Sequence, residues 1–192
     1  NGSNNTVTLL AGTTWNNGNV NLVVGNGVGV GNVLTLDGAS VTNVGSLTIG
    51  GATGASSNQL IVRNGSVVSN ITGTLGAFIV GGAAGANYNS LIASNGSVFM
   101  TSAGRIGIGA ATLAQGGSYN TVILSNSVLL GSFVTCIGYN GTTNNSLTLL
   151  GNSVLNNGGA VPLNIGGYNA GNAVGNSLTI DSSLVTNVTS GV

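Results

Sequence analysis

The feature that most constrains this chain is an internal repeat: NSLTLLGNSV at 145–154 nearly reproduces NVLTLDGASV at 32–41 and NSLTIDSSLV at 176–185. With an Asn followed by alternating apolar residues as the anchor, copies begin at Asn5, Asn32, Asn58, Asn89, Asn120, Asn145 and Asn176, spaced by 27, 26, 31, 31, 25 and 31 residues. Each copy continues into a second apolar run, such as NGSV at 64–67 or NSV at 152–154. A third run follows, such as LTIGGA at 47–52 or FIVGGA at 78–83. Short alternating runs rich in β-branched residues, closed by Gly, Asn and Ser, predict strands separated by turns. No helical stripe is long enough to compete. A repeat of this length with three strands per copy predicts an all-β solenoid, a parallel β-helix. The expected array spans residues 1–192 as one domain of about six and a half coils of 25–31 residues.

In that arrangement Leu34 and Leu36, with their equivalents Leu60 and Val62, Leu147 and Leu149, and Leu178 and Ile180, point inward. The intervening Thr or Ser faces out, because successive side chains on a strand alternate. The anchor Asn is expected to take the left-handed backbone of a sharp corner and to form a hydrogen-bonded column with its equivalents. The Gly that closes the third strand is expected to supply positive φ at another corner. Length variation falls after that Gly, in GGAAGANY (81–88), AATLAQGGSY (110–119) and GGYNAGNAVG (166–175), which predicts surface loops.

Charge is nearly absent. Asp37, Arg63, Arg105 and Asp181 are the full set, and His, Lys and Glu do not occur. Neither the basic patch that nucleic acid requires nor an acidic run is present. No apolar stretch reaches about 18 residues, so membrane insertion is not expected. The single Cys136 excludes an internal disulfide framework. Counting back from Ile137 places it on the outer face.

Nucleophilic and acid–base chemistry needs His, Cys, Lys or paired carboxylates within reach of one another. Asp37 and Asp181 occupy the same repeat position but are five coils apart, roughly 24 Å at about 4.8 Å per coil. Arg63 takes that position one coil above Asp37, which predicts a stacked surface ion pair. The Gly-Gly pairs lack the acid that a calcium-binding turn requires, and GNGVGVG at 25–31 has no helix to present to a phosphate. No catalytic residue, cofactor or metal is expected.

Both ends read as uncapped. NGSNNTVTLL at 1–10 is already in register, and DSSLVTNVTSGV at 181–192 stops before a third strand. An uncovered coil presents unpaired backbone and apolar surface. The expectation is therefore that coils continue past Val192, or that another copy of the chain completes the last one. Leu9, Leu10, Val185, Val188 and Val192 are the expected junction residues. The outward position of the first strand reads Thr8, Thr35, Ile61, Ile92, Ile123, Thr148 and Thr179. Its three Ile form a stripe, either a lateral interface or a site covered by a corner loop. Tyr88, Tyr119, Tyr139 and Tyr168 stand at corners, where they could stack sugars but are expected to cover the core edge.

NQLIVRNGSVV (58–68), NSLIASNGSVF (89–99) and GSLTIGG (45–51) resemble the low-charge β-helical repeats of bacterial autotransporter-type passengers and related secreted surface proteins. The resemblance covers the whole chain. It implies a right-handed parallel β-helix, secretion to the exterior or the cell surface, and an adhesive, matrix or fibre role. The first expectation for function is accordingly a structural protein whose solenoid units stack end to end into an extracellular filament or sheath, with copies of itself as partners. The second is an adhesin or carbohydrate-binding module with polysaccharide as partner. An ice-binding solenoid would need a regular Thr face, which Ile61, Ile92 and Ile123 interrupt.

Overall fold

The computed structural model describes residues 2–72, 78–95, 97–101, 104–110, 116–131, 134–167 and 172–190 of the chain. Among them every regular element is a strand. The first coil holds β1 (Thr6–Leu9), β2 (Thr14–Asn16) and β3 (Leu22–Val24), and the second β4 (Val33–Asp37), β5 (Ser40–Thr42) and β6 (Leu47–Ile49). The third and fourth hold β7 (Gln59–Arg63), β8 (Val67–Ile71), β9 (Phe78–Val80), β10 (Ser90–Ser94), β11 (Val98–Thr101) and β12 (Ile106–Ile108). The fifth holds β13 (Thr121–Ser125), β14 (Val128–Leu130) and β15 (Thr135–Ile137). In the sixth, β16 (Ser146–Leu150) is followed by one long strand, β17 (Val154–Ile165), and the seventh holds β18 (Ser177–Asp181) and β19 (Leu184–Ser190).

Every strand pairs in parallel with its equivalent in the next coil, which makes the chain a β-solenoid. The first face runs β1-β4-β7-β10-β13-β16-β18. The second stacks β2, β5, β8, β11, β14, β17 and β19, and the third β3, β6, β9, β12, β15 and β17. Because β17 rounds the corner without a break, it joins the second and third faces into one sheet.

The register explains the repeat. On the first face one inward column reads Val7, Leu34, Leu60, Leu91, Val122, Leu147, Leu178, and the other Leu9, Leu36, Val62, Ala93, Leu124, Leu149, Ile180. Trp15, Val41, Val68, Phe99, Leu129, Leu155 and Val185 supply the second face. Phe78 and Phe99 meet inside at 6.1 Å between ring centroids. Most parallel sheets have both faces covered; here the solenoid covers the inner face with its own three walls and leaves the outer one to half-buried side chains such as Ile61 and Ser90. Burying each Leu, Ile or Val stabilises by about 1.5–3 kcal/mol, and the columns repeat that gain at every coil.

Candidate functional site

What recurs at every coil is a corner, and it is built around the anchor Asn. At each step of the series Asn5, Asn32, Asn58, Asn89, Asn120, Asn145, Asn176, the backbone N–H and the side-chain Nδ2 of one Asn both donate to Oδ1 of the next, at 2.9–3.2 Å. The second Nδ2 hydrogen of Asn58 goes to the Gly29 carbonyl, and that of Asn89 to the Ala55 carbonyl. Asn58, Asn89, Asn120 and Asn145 are fully buried. A buried amide is tolerated only when its donors and acceptor are all used, and this ladder uses them.

The anchor does not itself take the left-handed backbone, contrary to the sequence expectation. That conformation belongs to the residue before it: Asn4, Gly31, Ser57, Tyr88, Tyr119, Asn144 and Gly175 all have φ between 56° and 70°. The reason is that the anchor must hold a strand-like backbone to point its amide inward along the column, so the turn falls one residue earlier. Gly at the close of the third strand does have positive φ, as at Gly50 and Gly81. It has a further role that the sequence did not disclose. A Cβ at Gly25, Gly50, Gly81, Gly109 or Gly138 would overlap the amide of Asn58, Asn89, Asn120, Asn145 or Asn176 respectively. The glycine is the space into which the Asn ladder fits.

A second ladder was also missed, although NGSV and NSV signalled it. Ser66, Ser97, Ser127 and Ser153 are buried. Their hydroxyls donate back to the carbonyls of Arg63, Ser94, Ser125 and Leu150. Ser66 and Ser153 in turn accept from the N–H groups of Ala39 and Ser127 in the coil before. Each Ser thus closes a turn, and Ser66 and Ser153 also link two coils.

The outward side chains are chemically sparse. Arg63 Nη2 lies 2.8 Å from Asp37 Oδ2, with Nε at 3.1 Å, and Asn64 Nδ2 donates to Asp37 Oδ1 at 2.7 Å. The Asn64 hydrogen bond, then that of Arg63, holds the Asp37 carboxyl below its ordinary range. Ile61, Ile92 and Ile123 stand in register on the first face, each half-buried, between Thr35 and Thr148. Thr35 is itself buried, so not every intervening Thr of this face meets solvent.

Cys136 sits in register between Gly107 and Asn164, at an outward position of its strand. It is nevertheless buried, and its thiol donates to the Gly138 carbonyl at 3.2 Å. Burial pushes that thiol up to about 11. Behind it Thr135 turns inward and donates to Asn157 Oδ1 at 2.6 Å, a polar pair inside the core. Among the described residues no three His, Cys, Asp or Glu side chains gather where a metal ion could be held. No helix there is long and apolar enough to cross a membrane.

At the two end faces the inward columns come to the surface. Val7 is 51% and Ile180 49% exposed, whereas Leu91 and Leu124, inside the same columns, are 0% exposed. Around Val7 lies an open apolar cavity of about 370 Å³, lined among others by Trp15, Leu22, Val24 and Leu34. Leu10 is exposed, Leu9 and Val185 pack against the core margin, and Val188 is half-buried. Val192 lies outside the described residues, as does Tyr168.

The tyrosines depart from the sequence expectation. Tyr139 is half-buried, but Tyr88 and Tyr119 do not cover the core edge. They project from adjacent corners and stack on each other with ring centroids 5.0 Å apart and planes inclined by 15°. No protein-family model, no curated protein and no solved structure matches this chain.

Proposed function

We propose that this chain is a structural rod: β-solenoid coils that form an extended element of an extracellular filament, sheath or cell-surface layer, with stacking continued across its end faces. The observation that carries this reading is the sameness of every coil-to-coil step: the same apolar columns, Asn ladder and parallel backbone pairing recur from coil to coil, a pattern that any further coil in register would extend. The continuing coil belongs either to the same polypeptide or to a second copy. In either case the junction repeats the inner contacts: apolar columns in register, Asn5 or Asn176 extending the amide ladder, and unpaired N–H and C=O groups completing the sheets. The low charge supports the reading, since little electrostatic repulsion opposes coil-on-coil contact. Mechanically, such a rod works through its continuous ladders rather than through a reactive centre.

The test is electron microscopy of the purified chain beside Leu9→Lys and Val185→Lys variants. Filaments with an axial repeat of about 4.8 Å, the strand spacing along a solenoid, are expected for the unaltered chain. The variants place an ammonium group at the core margin of each end face. They are expected to shorten or abolish the filaments while keeping the β-sheet circular dichroism of the inner coils. Filaments of undiminished length from both variants would sink the junction. Discrete particles about 30 Å long at every concentration, near seven coils of about 4.8 Å, would sink stacking between copies.

A further inference from the structure

We propose that the Tyr88–Tyr119 stack is a binding platform for an uncharged polysaccharide. It goes beyond the rod reading and does not depend on it.

Seven corners adopt the same left-handed backbone, and five are filled by Asn, Gly or Ser, residues that accept or tolerate it. Only Tyr88 and Tyr119, both at φ 60°, put a bulky side chain there, where such a residue is a conformational outlier. Strain of this kind persists where surrounding structure holds it, and it concentrates at ligand sites. The fold obtains little in exchange, because Tyr88 and Tyr119 remain 57% and 44% exposed instead of closing the core. The two outliers occupy consecutive coils, and their rings stack 5.0 Å apart and inclined by 15°, so the outer face of each ring is the one left to a ligand. On one side the corner column continues into Ser57 and Gly31, and on the other into Asn144 and Gly175. None of Ser57, Gly31, Asn144 and Gly175 carries a ring that could extend the stack.

Two residues along each coil stands a column of neutral hydrogen-bonding groups, Gln59, Ser90, Thr121 and Ser146. Gln59 Nε2 donates to Ser90 Oγ at 3.0 Å, and Ser146 Oγ to Thr121 Oγ1 at 3.1 Å. These groups are half-buried and retain acceptor and donor capacity for hydroxyls laid beside them. The Asp37–Arg63 pair lies at the far end of the strand, about 13 Å away at about 3.3 Å per residue. The platform is therefore aromatic, neutral and flanked by amide and hydroxyl groups. That chemistry suits the C–H face and hydroxyls of an uncharged sugar ring, and a hydrogen-bonding column four coils long beside the stack fits a polymer better than a single sugar.

The experiment combines affinity electrophoresis with an NMR titration that follows the Tyr88 and Tyr119 ring signals. The gels contain hydroxyethyl cellulose, mixed-linkage β-glucan, xylan or galactomannan, and cellohexaose, xylohexaose and mannohexaose are the soluble probes. At least one probe should move both ring signals. Tyr88→Asn and Tyr119→Asn, which install the residue that Asn4 and Asn144 already place at this corner, should weaken its binding at least 10-fold. They should also raise the melting temperature, because they relieve the left-handed tyrosines; Tyr139→Asn should leave binding unchanged. A lowered melting temperature with unchanged binding would assign the pair a packing role and overturn the proposal. So would a panel in which no probe shifts the rings. Concentration-dependent dimers that vanish in the Asn variants, without sugar binding, would make the stack an interface between copies instead.

Discussion

At the scale of the residue, the fold is specified by amides that serve two coils at once. Asn120 Oδ1 accepts from both the N–H and the Nδ2 of Asn89, while its own N–H and Nδ2 donate onward to Asn145. Asn120→Ala removes the acceptor and leaves two buried donors without a partner. Each such orphan costs about 1–3 kcal/mol, so the variant is expected to lose about 2–6 kcal/mol in a urea titration. A loss below about 1 kcal/mol would show that the ladder is replaceable by water. Seven recurrences of Asn ahead of an alternating run made the column legible in the sequence. What could not be read was which residue turns the corner, because Asn is itself well suited to positive φ, and only the register shows that its amide is needed inward. The match between Gly81 and Asn120 was hidden for a similar reason. Those positions are 39 residues apart in a chain where neither type is rare.

At the scale of the element, identical strands differ in worth according to their place in the stack. Val7 and Leu91 share one inward column, yet the first is half exposed and the second fully buried. Leu91→Ala should cost about 2–5 kcal/mol, the range for emptying a packed site. Val7→Ala should cost less than about 1 kcal/mol, as at other exposed positions. Equal costs, read from denaturation midpoints, would mean that the end coil is packed as tightly as the inner ones. The strands of the first face were plain in the sequence because their four or five residues alternate with period two. The third face was less plain. Counting back from Ile137 puts Cys136 outward and Thr135 inward, but does not show that Cys136 is buried there or that Asn157 supplies Thr135 with a buried acceptor. A pairing across 22 residues leaves no local pattern.

At the scale of the whole molecule, stability rests on columns and ladders that carry almost no charge, and its response to pH follows from that. The Asp37 carboxyl is held below its ordinary 3.8 by Asn64 and then Arg63. Its contribution is therefore present above that value and is lost as pH falls through the lowered one. This pair is solvent-exposed, so the acid-side loss is small. The Cys136 thiol is raised by burial from 9.0 to about 11, which favours the neutral form in the folded state. Its contribution is complete below about 9 and is lost as pH climbs towards 11. No His, Lys or Glu side chain exists to titrate in between. The urea midpoint should accordingly stay flat from about pH 5 to about pH 8 and fall above about pH 9, since linkage demands a slope only where proton uptake differs between states. Cys136→Ala should reduce that alkaline fall, and raising salt from 0.01 to 1 M should move the plateau by less than about 0.5 kcal/mol, since exposed ion pairs contribute little. A midpoint that slopes across neutral pH would require a titrating group in the stacking itself, and would mean that the coils are held by more than apolar columns and amide ladders.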